Sequence, residues 1–538
     1  MGFNFLKYLR WVLAILIGGF ILIFFIDIRN SLPNSFHSIL HIQVVPAILG
    51  GSLIAIAIIA LFTLVFGRIY CSVLCPLGIL QDVILRIKKW WYKLRKQKKK
   101  LHTAYSKPFN ILRYSILAVL GICLMAGYTM PLLWFDPYSF FGRVATSLVK
   151  PVIVLFNNLG ANVLNYMDNY SLFRITLEST TYIVVISSAV ILITLIVAVW
   201  LRERIVCNTV CPVGALLSLL SKYSLFGITI NNNCTHCRLC ERSCKSNCID
   251  SKDIYVDKSR CVTCFDCLDK CKSKAIGYSP TGWKFKNRPV VKSESASGVN
   301  ESVSVTNAPL LAASGLARRR FIQGNAVALA AFATSKVLAN ATIEPDDLYY
   351  VPEKILPLPP GVVSMERFLK KCTACQLCIN KCPTKVLQPA FLENGLMGMM
   401  TPVMKFRVKS FCSYDCTVCS EICPNHAILP LLPEDKKLTR VGNVTLFLEH
   451  CVVIESNQDC GACAEHCPTQ AVSMVPYEDT GLTKPVIKPE ICIGCGACQS
   501  ICPQVPAAIR ITGVTTQEKA IPPSVDVMKD VEINDFGF

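Results

Sequence analysis

Cys372-Thr373-Ala374-Cys375-Gln376-Leu377-Cys378-Ile379-Asn380-Lys381-Cys382-Pro383 spaces four thiols as C-x2-C-x2-C-x3-C-P. Three thiolates of one tight loop can hold three irons of a [4Fe-4S] cluster, while the proline carries the fourth thiolate away to a neighbouring cluster. Cys492, Cys495, Cys498 and Cys502, with Pro503, repeat the run. Two looser variants lie between: Cys412, Cys416, Cys419, Cys423-Pro424 and Cys451, Cys460, Cys463, Cys467-Pro468. Four motifs imply four clusters. Structural zinc has no use for a thiolate aimed at a second site or for the recurring proline. Cysteines two apart in a tight loop are poorly placed for disulfides.

Working outward, 538 residues are several domains, and 52% hydrophobic residues are too many for an ordinary soluble protein, so part of the chain should lie in lipid. Mean hydropathy, +0.44, agrees. Six cluster motifs in the whole chain take 24 of its 30 cysteines, two C-x3-C-P pairs take four, and Cys123 and Cys248 remain. The formal charge of +19 omits the cofactors. Six oxidised clusters with their thiolates bring about −12 and leave the holoprotein near about +7. No nucleic-acid motif is present, and no nucleic-acid partner is expected.

Residues 9–28 (LRWVLAILIGGFILIFFIDI), 44–66, 111–134 and 181–200 are each long and apolar enough to cross a hydrocarbon layer of about 30 Å. No small-residue cleavage site follows Ile28, which argues against a signal peptide. Residues 86–100 carry nine Lys or Arg and no acid, whereas 135–180 carries three of each sign. The basic run should therefore be cytoplasmic, and Lys7 and Arg10 put the N-terminus on the same side.

A repeat is visible across these spans. Arg68-Ile69-Tyr70-Cys71-Ser72-Val73-Leu74-Cys75-Pro76-Leu77-Gly78 is matched by Arg204-Ile205-Val206-Cys207-Asn208-Thr209-Val210-Cys211-Pro212-Val213-Gly214. Each copy follows a span that runs inward. Cys71, Cys75, Cys207 and Cys211 are thus a candidate redox site, either a further iron-sulfur cluster or a reducible dithiol pair. The competing reading is two duplicated helix ends whose small thiols merely pack.

Cys234, Cys237, Cys240, Cys244 and Cys261, Cys264, Cys267, Cys271 form two more motifs, with Lys245 and Lys272 where proline is usual. By the crossed-ligand rule Cys234, Cys237 and Cys240 take Cys271 as fourth ligand, and Cys261, Cys264 and Cys267 take Cys244. Cys248 competes with Cys244; the preferred reading is a packed free thiol. Residues 281–316 read as a linker. Ala317-Arg318-Arg319-Arg320-Phe321-Ile322-Gln323 then opens an Ala-rich stretch that resembles a twin-arginine export signal. An ordinary cytosolic helix with a basic start is the alternative.

Two known partners are resembled in fusion. Residues 1–280, with spans, two C-x3-C-P motifs and a two-cluster unit, are similar to the NapH membrane component of periplasmic nitrate reduction systems. Residues 316–512, with Arg318-Arg319, Leu358-Pro359-Pro360-Gly361 and four cluster motifs, are similar to its exported partner NapG. The implied fold class is multidomain, a polytopic α-helical membrane domain plus α+β ferredoxin-like [4Fe-4S] domains. The domains are 1–224 in the membrane, 225–280 as a cytoplasmic two-cluster ferredoxin unit, 281–316 as linker, 317–341 as signal or anchor, 342–515 as a four-cluster unit and 516–538 as tail. The resemblance implies a multi-pass inner-membrane protein, its four-cluster unit periplasmic, that acts as a quinol dehydrogenase component with six [4Fe-4S] clusters. Its partners are then membrane lipid, quinone and an exported terminal reductase or cytochrome.

In related four-cluster subunits of molybdenum enzymes the outer two motifs share ligands, as do the inner two. Carried here, Cys372, Cys375 and Cys378 join Cys502; Cys492, Cys495 and Cys498 join Cys382; Cys412, Cys416 and Cys419 join Cys467; and Cys451, Cys460 and Cys463 join Cys423. The long gap from Cys451 to Cys460 departs from that pattern.

Oxidising a quinol requires a proton acceptor near the membrane. Candidates are His37 and His41 in the first outer loop and Asp136 in Trp134-Phe135-Asp136-Pro137. Loop histidines are commonly just solvated, and Asp before Pro is a common turn. A second function class is a redox maturation or regulatory factor that reduces a metal or thiol of a partner enzyme, since the N-terminal half also resembles membrane polyferredoxins linked to copper-enzyme maturation. Either way, clusters on two sides of a layer about 30 Å thick are too far apart for one efficient electron hop. A quinone, the C-x3-C-P site or a partner subunit must bridge them.

Overall fold

A computed structural model describes residues 2–27, 32, 40, 42–95, 105–175, 182–231, 233–280, 355–391, 393–406, 410–477 and 480–522. His37, His41, the expected linker at 281–316 and the twin-arginine-like segment at 317–341 lie outside them. The helices run, in chain order, α1 (Gly2–Ile26), α2 (Val44–Gly50), α3 (Leu53–Phe66), α4 (Tyr70–Val73), α5 (Pro76–Leu94), α6 (Asn110–Met125), α7 (Met130–Phe135), α8 (Pro137–Val144), α9 (Lys150–Tyr166), α10 (Tyr182–Arg202), α11 (Ile205–Thr209) and α12 (Pro212–Ser221).

Three stretches, Phe5–Ile26, Pro137–Tyr166 and Val184–Arg202, are long and apolar enough to span a bilayer. Two of the four expected spans are not single long helices. The apolar run at 44–66 breaks where Gly51 turns left-handed (φ 76°) to close α2, and α3 restarts at Leu53. The run at 111–134 breaks between α6 and α7. Conversely, the stretch from 135 to 180, left between the third and fourth expected spans, holds α8, a π-helical turn at Ala145–Val149 and α9 in continuous succession. Hydropathy averaged along the chain registers apolar content but not the left-handed residue that ends a helix.

Two ferredoxin units adjoin these helices. In the first, β1 (Phe226–Ile230) pairs antiparallel with β4 (Ile276–Pro280) and β2 (Ile249–Asp250) with β3 (Tyr255–Val256), around α13 (Leu239–Ser243) and α14 (Asp266–Lys270). The second starts with α15 (Met365–Lys371), whose first turn is capped by Ser364 Oγ accepting from Arg367 N–H at 3.3 Å. α16 (Leu377–Lys381) follows, then the hairpin of β5 (Leu387–Pro389) with β6 (Pro402–Met404). Beyond them β7 (Thr439–Leu446) pairs with β10 (Ile509–Lys519), and β8 (Val472–Tyr477) with β9 (Leu482–Ile487). The unit does not end at 515 as expected. β10 continues to Lys519, and Gln517 Oε1 accepts from the N–H groups of Gly361 at 3.0 Å and Val362 at 3.1 Å.

Opposite ends of α1 meet different units. Near its start Lys7 pairs with Asp269 at 2.9 Å. At its end Asn380 Nδ2 donates to the Phe25 carbonyl, and Lys381 pairs with Asp27 with both side chains buried. These contacts, at Lys7 and Asp27, lie 20 residues apart, about 30 Å at 1.5 Å per residue. The two ferredoxin units are therefore separated by roughly a hydrocarbon thickness.

Candidate metal centres

Each tight C-x2-C-x2-C loop bends the same way. The second and fourth residues after its first cysteine have positive φ: His236 and Arg238, Thr263 and Phe265, Ala374 and Gln376, Gly494 and Gly496. Left-handed residues alternating with ordinary ones turn backbone N–H groups to one side, the geometry of an anion-binding nest. The third residue after the fourth cysteine is also left-handed at Asn247, Lys274, Lys385, His426 and Gln470. N–H groups reach sulfur directly, Ala374 to Cys372 at 3.4 Å, Ile428 to Cys423 at 3.5 Å and Ala471 to Cys467 at 3.2 Å. The looser loops at Cys412 and Cys451 lack the paired left-handed residues.

Thiols from two motifs stand around each hollow. Cys244, Cys248, Cys261, Cys264 and Cys267 line one of about 310 Å³ including its open mouth, and Cys240 interacts with Cys234, Cys237 and Cys271. Both sets follow the crossed pattern. Among the described residues no three His, Cys, Asp or Glu side chains gather tightly enough for a single metal ion. Thiols spread around a hollow suit a multi-iron cube, with N–H groups to offset the charge of its sulfurs.

In the second unit the pairing carried over from molybdenum-enzyme subunits is overturned. Cys382 lines one hollow with Cys412, Cys416 and Cys419, and Cys467 lines another with Cys492, Cys495 and Cys498. Cys423 interacts with Cys372, Cys375 and Cys378, and Cys502 with Cys463, itself beside Cys451 and Cys460. Consecutive motifs thus pool their thiols. The physical reason is a hairpin between partners: β2–β3 between Cys244 and Cys261, β5–β6 between Cys382 and Cys412, β8–β9 between Cys467 and Cys492. Short closures order less chain than long ones.

Burial pushes the Cys240 and Cys463 thiols up to about 11, and those of Cys264, Cys375 and Cys495 up to about 12. Iron must displace protons from them to bind. Cys248, with its sulfur 3.5 Å from that of Cys244, pulls Cys244 down to about 7 by hydrogen bonding. Cys248 is fully buried at the wall of the hollow.

The C-x3-C-P copies come together as a pair. Cys75 and Cys211 are N-cap residues of α5 and α12, each followed by proline at the first helical position, where its missing N–H is no loss. Gly214 N–H donates to Cys211 Sγ at 3.4 Å. A Cβ at Gly78 would lie 2.1 Å from the Cys71 carbonyl oxygen, and one at Gly214 would lie 2.1 Å from that of Cys207, so only glycine permits these helix starts. The arginines cross over: Arg68 Nη2 donates to the Cys207 carbonyl at 3.2 Å and Arg204 Nη1 to the Cys71 carbonyl at 3.1 Å. Cys71, Cys75, Cys207 and Cys211 are all buried and mutually interacting.

Asp136 is buried and caps α8, accepting from Tyr138 N–H at 3.3 Å and Ser139 N–H at 2.9 Å. It stands between Tyr70, which neighbours Cys71 and Cys75, and Cys375. Several residues escaped the sequence reading. Lys245, at the usual proline position, pairs with Asp82 of α5 at 3.3 Å and with Asp266 at 3.0 Å, tying the first ferredoxin unit to the helices. Asp82 also pairs with Arg204 at 2.7 Å and Arg10 at 3.2 Å. The recurrence of Arg and Gly at one offset in both copies was the available signal for Arg68, Gly78, Arg204 and Gly214.

Known proteins agree with iron-sulfur chemistry. A family model described as "4Fe-4S binding domain" matches residues 48–101 and 184–231, and one described as "4Fe-4S dicluster domain" matches 458–505. The uncharacterized protein MJ0750 of Methanocaldococcus jannaschii is 30% identical over 242 residues, 44% of this chain and 82% of that protein. The ferredoxin-type protein NapF of Escherichia coli is 28% identical over 146 residues, 27% of this chain and 79% of its own length. The methylamine utilization ferredoxin-type protein MauM of Methylobacillus flagellatus is 31% identical over 162 residues, 28% of this chain and 66% of its own. No solved structure matches. These likenesses make the chain an iron-sulfur protein of ferredoxin type.

Proposed function

The chain belongs to the family that includes MJ0750 of Methanocaldococcus jannaschii, and from that premise we propose a membrane-bound electron-transfer protein of NapH/NapG type, which oxidises a membrane quinol and delivers electrons through six [4Fe-4S] clusters to an exported terminal reductase or cytochrome. One observation carries this reading: the thiol sets follow one another in an unbranched series. Cys267 of the second set interacts with Cys240 of the first. Cys264 packs in one core with Cys71, Cys75 and Cys211. Across α8, Tyr138 neighbours Cys375 and Cys423. Cys378 then neighbours Cys419, Cys412 N–H donates to the Cys495 carbonyl at 2.9 Å, and Cys498 neighbours Cys463. Closely spaced one-electron centres make a conduit, and complete cysteine sets leave no iron open for other chemistry.

The bilayer assignment is supported by large apolar side chains exposed along the long helices, among them Leu16, Ile23, Leu155, Phe156, Ile193 and Leu201, which water would penalise and lipid would not. Within a bilayer the units at the two ends of α1 would face opposite sides. The test uses the anaerobic holoprotein in lipid vesicles, mixed with a reduced menaquinone analogue and followed by EPR of the clusters. Quinol reduces them on this reading; clusters reducible by dithionite but not by excess quinol would count against it.

A further inference from the structure

We infer that Cys71, Cys75, Cys207 and Cys211 together hold one iron-sulfur cluster, shared between the two C-x3-C-P copies, which relays single electrons between the ferredoxin units. The inference rests on the proposed electron path and deepens it. The "4Fe-4S binding domain" model matches each copy separately, yet each copy supplies only two thiols, and the fold places all four in a single site.

Position is the first argument. On one side the shared thiols lie in the core that contains Cys264, with Arg204 between Cys207 and Cys264. On the other, Tyr70 and Asp136 lead from Cys75 to Cys375. Without a carrier here the series would be interrupted in the stretch spanned by α1.

Charge is the second, independent argument. Arg68 and Arg113 are 0% and 1% exposed, and among the described residues neither has a carboxylate within ion-pair distance. Arg68 Nη2 stands 3.8 Å from Cys71 Sγ, and Arg113 interacts with Cys71. Their Nε atoms and Arg113 Nη1 have no hydrogen-bond partner. Guanidinium groups cannot shed their protons to escape burial, and the carboxylate that acts on this pair, Asp257 on Arg113, stands beyond ion-pair distance, so their charge is poorly compensated. Four thiolates around an oxidised cluster carry about −2 and supply the missing anion. Gln81 agrees: its Oε1 meets Cys207 Sγ at 3.4 Å while its Nε2 is buried without an acceptor. Turned over, the amide donates N–H to a Cys207 thiolate.

The step balances simply. A reduced cluster at Cys244, Cys261, Cys264 and Cys267 loses one electron, the shared cluster gains it, and the oxidised cluster at Cys372, Cys375, Cys378 and Cys423 then takes it. The reverse direction is equally balanced, and no bond or proton moves.

The experiment compares anaerobic full-length protein with a Cys71→Ser/Cys207→Ser variant by iron and sulfide content and by EPR. The variant should lose the iron of one cluster, about two to four atoms, and one spin system, with the ferredoxin signals intact. Electron transfer between the units, timed by rapid-freeze EPR after photoreduction, should slow at least about tenfold. Should the variant misfold, Arg68→Gln retains all four thiols; removing a buried cation should lower the midpoint potential of the extra signal alone. Wild-type iron that stops at the six ferredoxin sites, with these thiols free or bridged as disulfides, overturns the inference; the six clusters then stand, and a quinone or a partner subunit must bridge the two units. Absent ferredoxin signals would instead remove the proposed function.

Discussion

Replacing Lys381 by methionine should loosen the second ferredoxin unit from the end of α1. The lysine and Asp27 side chains are 2% and 4% exposed, and Asp27 also accepts from Leu32 N–H at 3.1 Å. Taking one partner from a buried pair leaves a desolvated charge and costs about 3–5 kcal/mol. At 1.36 kcal/mol per decade this is roughly two to nearly four orders of magnitude in the local opening equilibrium. Hydrogen exchange of amides in α16 and the Cys372–Cys382 loop reads that equilibrium directly. Replacing both partners, Asp27→Leu with Lys381→Met, removes both buried charges and should restore most of the protection. A single variant that loses less than about 1 kcal/mol, as exposed pairs do, or a double variant as damaged as the single, would refute the assignment of this pair as a buried latch.

Gly78→Ala and Gly214→Ala each place a methyl 2.1 Å from a backbone carbonyl oxygen, so both should lower the melting temperature, by about 1–3 kcal/mol or more in stability, and diminish iron content; unchanged melting would remove the close-approach argument. Cys248→Ala should retain the iron of its neighbouring centre and Cys267→Ala should lose it, read by iron per chain. Apo and holo protein should respond to pH with opposite sign. In the apoprotein the buried thiols of Cys240 and Cys495 sit above the unfolded value of about 8.5, at about 11 and about 12. The stability they contribute is complete below the unfolded value and is lost as pH rises through the folded ones, so apoprotein should melt earlier at pH 10 than at pH 7. In the holoprotein protons compete with iron for the thiolates, so clusters should be lost on acidification.

The cysteine spacings were readable because cluster geometry imposes them on a single loop. The crossed grouping of thiols in the first ferredoxin unit was readable for the same reason. Pairing in the second unit was not, since it depends on which motifs a hairpin brings together. β5–β6 and β8–β9 are short strands containing proline and little alternation, and the analogy used in their place chose partners far apart in the chain. The convergence of the C-x3-C-P copies was visible as a candidate in the repeat. The crossing of Arg68 and Arg204 was not, because an arginine preceding a cysteine carries no mark of which backbone it will bind. Lys245 looked like a departure from the motif; its role is in contacts to Asp82, 163 positions earlier, which spacing alone cannot register. The breaks at Gly51 and after Met125 depend on backbone conformation, and α8 and α9 were masked by the Asn, Pro and Gly residues within their apolar stretch.

On the proposed reading, thiols from neighbouring motifs enclose iron in a connected series. Redox-titrated EPR of the anaerobically purified full-length protein, with iron and sulfide counted on the same sample, tests it most directly. At least about 24 irons per chain are expected from six four-iron sites, with reduced spectra broadened by magnetic coupling between adjacent centres. Colourless, iron-free protein with zinc or disulfides at these cysteines would contradict it, as would magnetically isolated clusters.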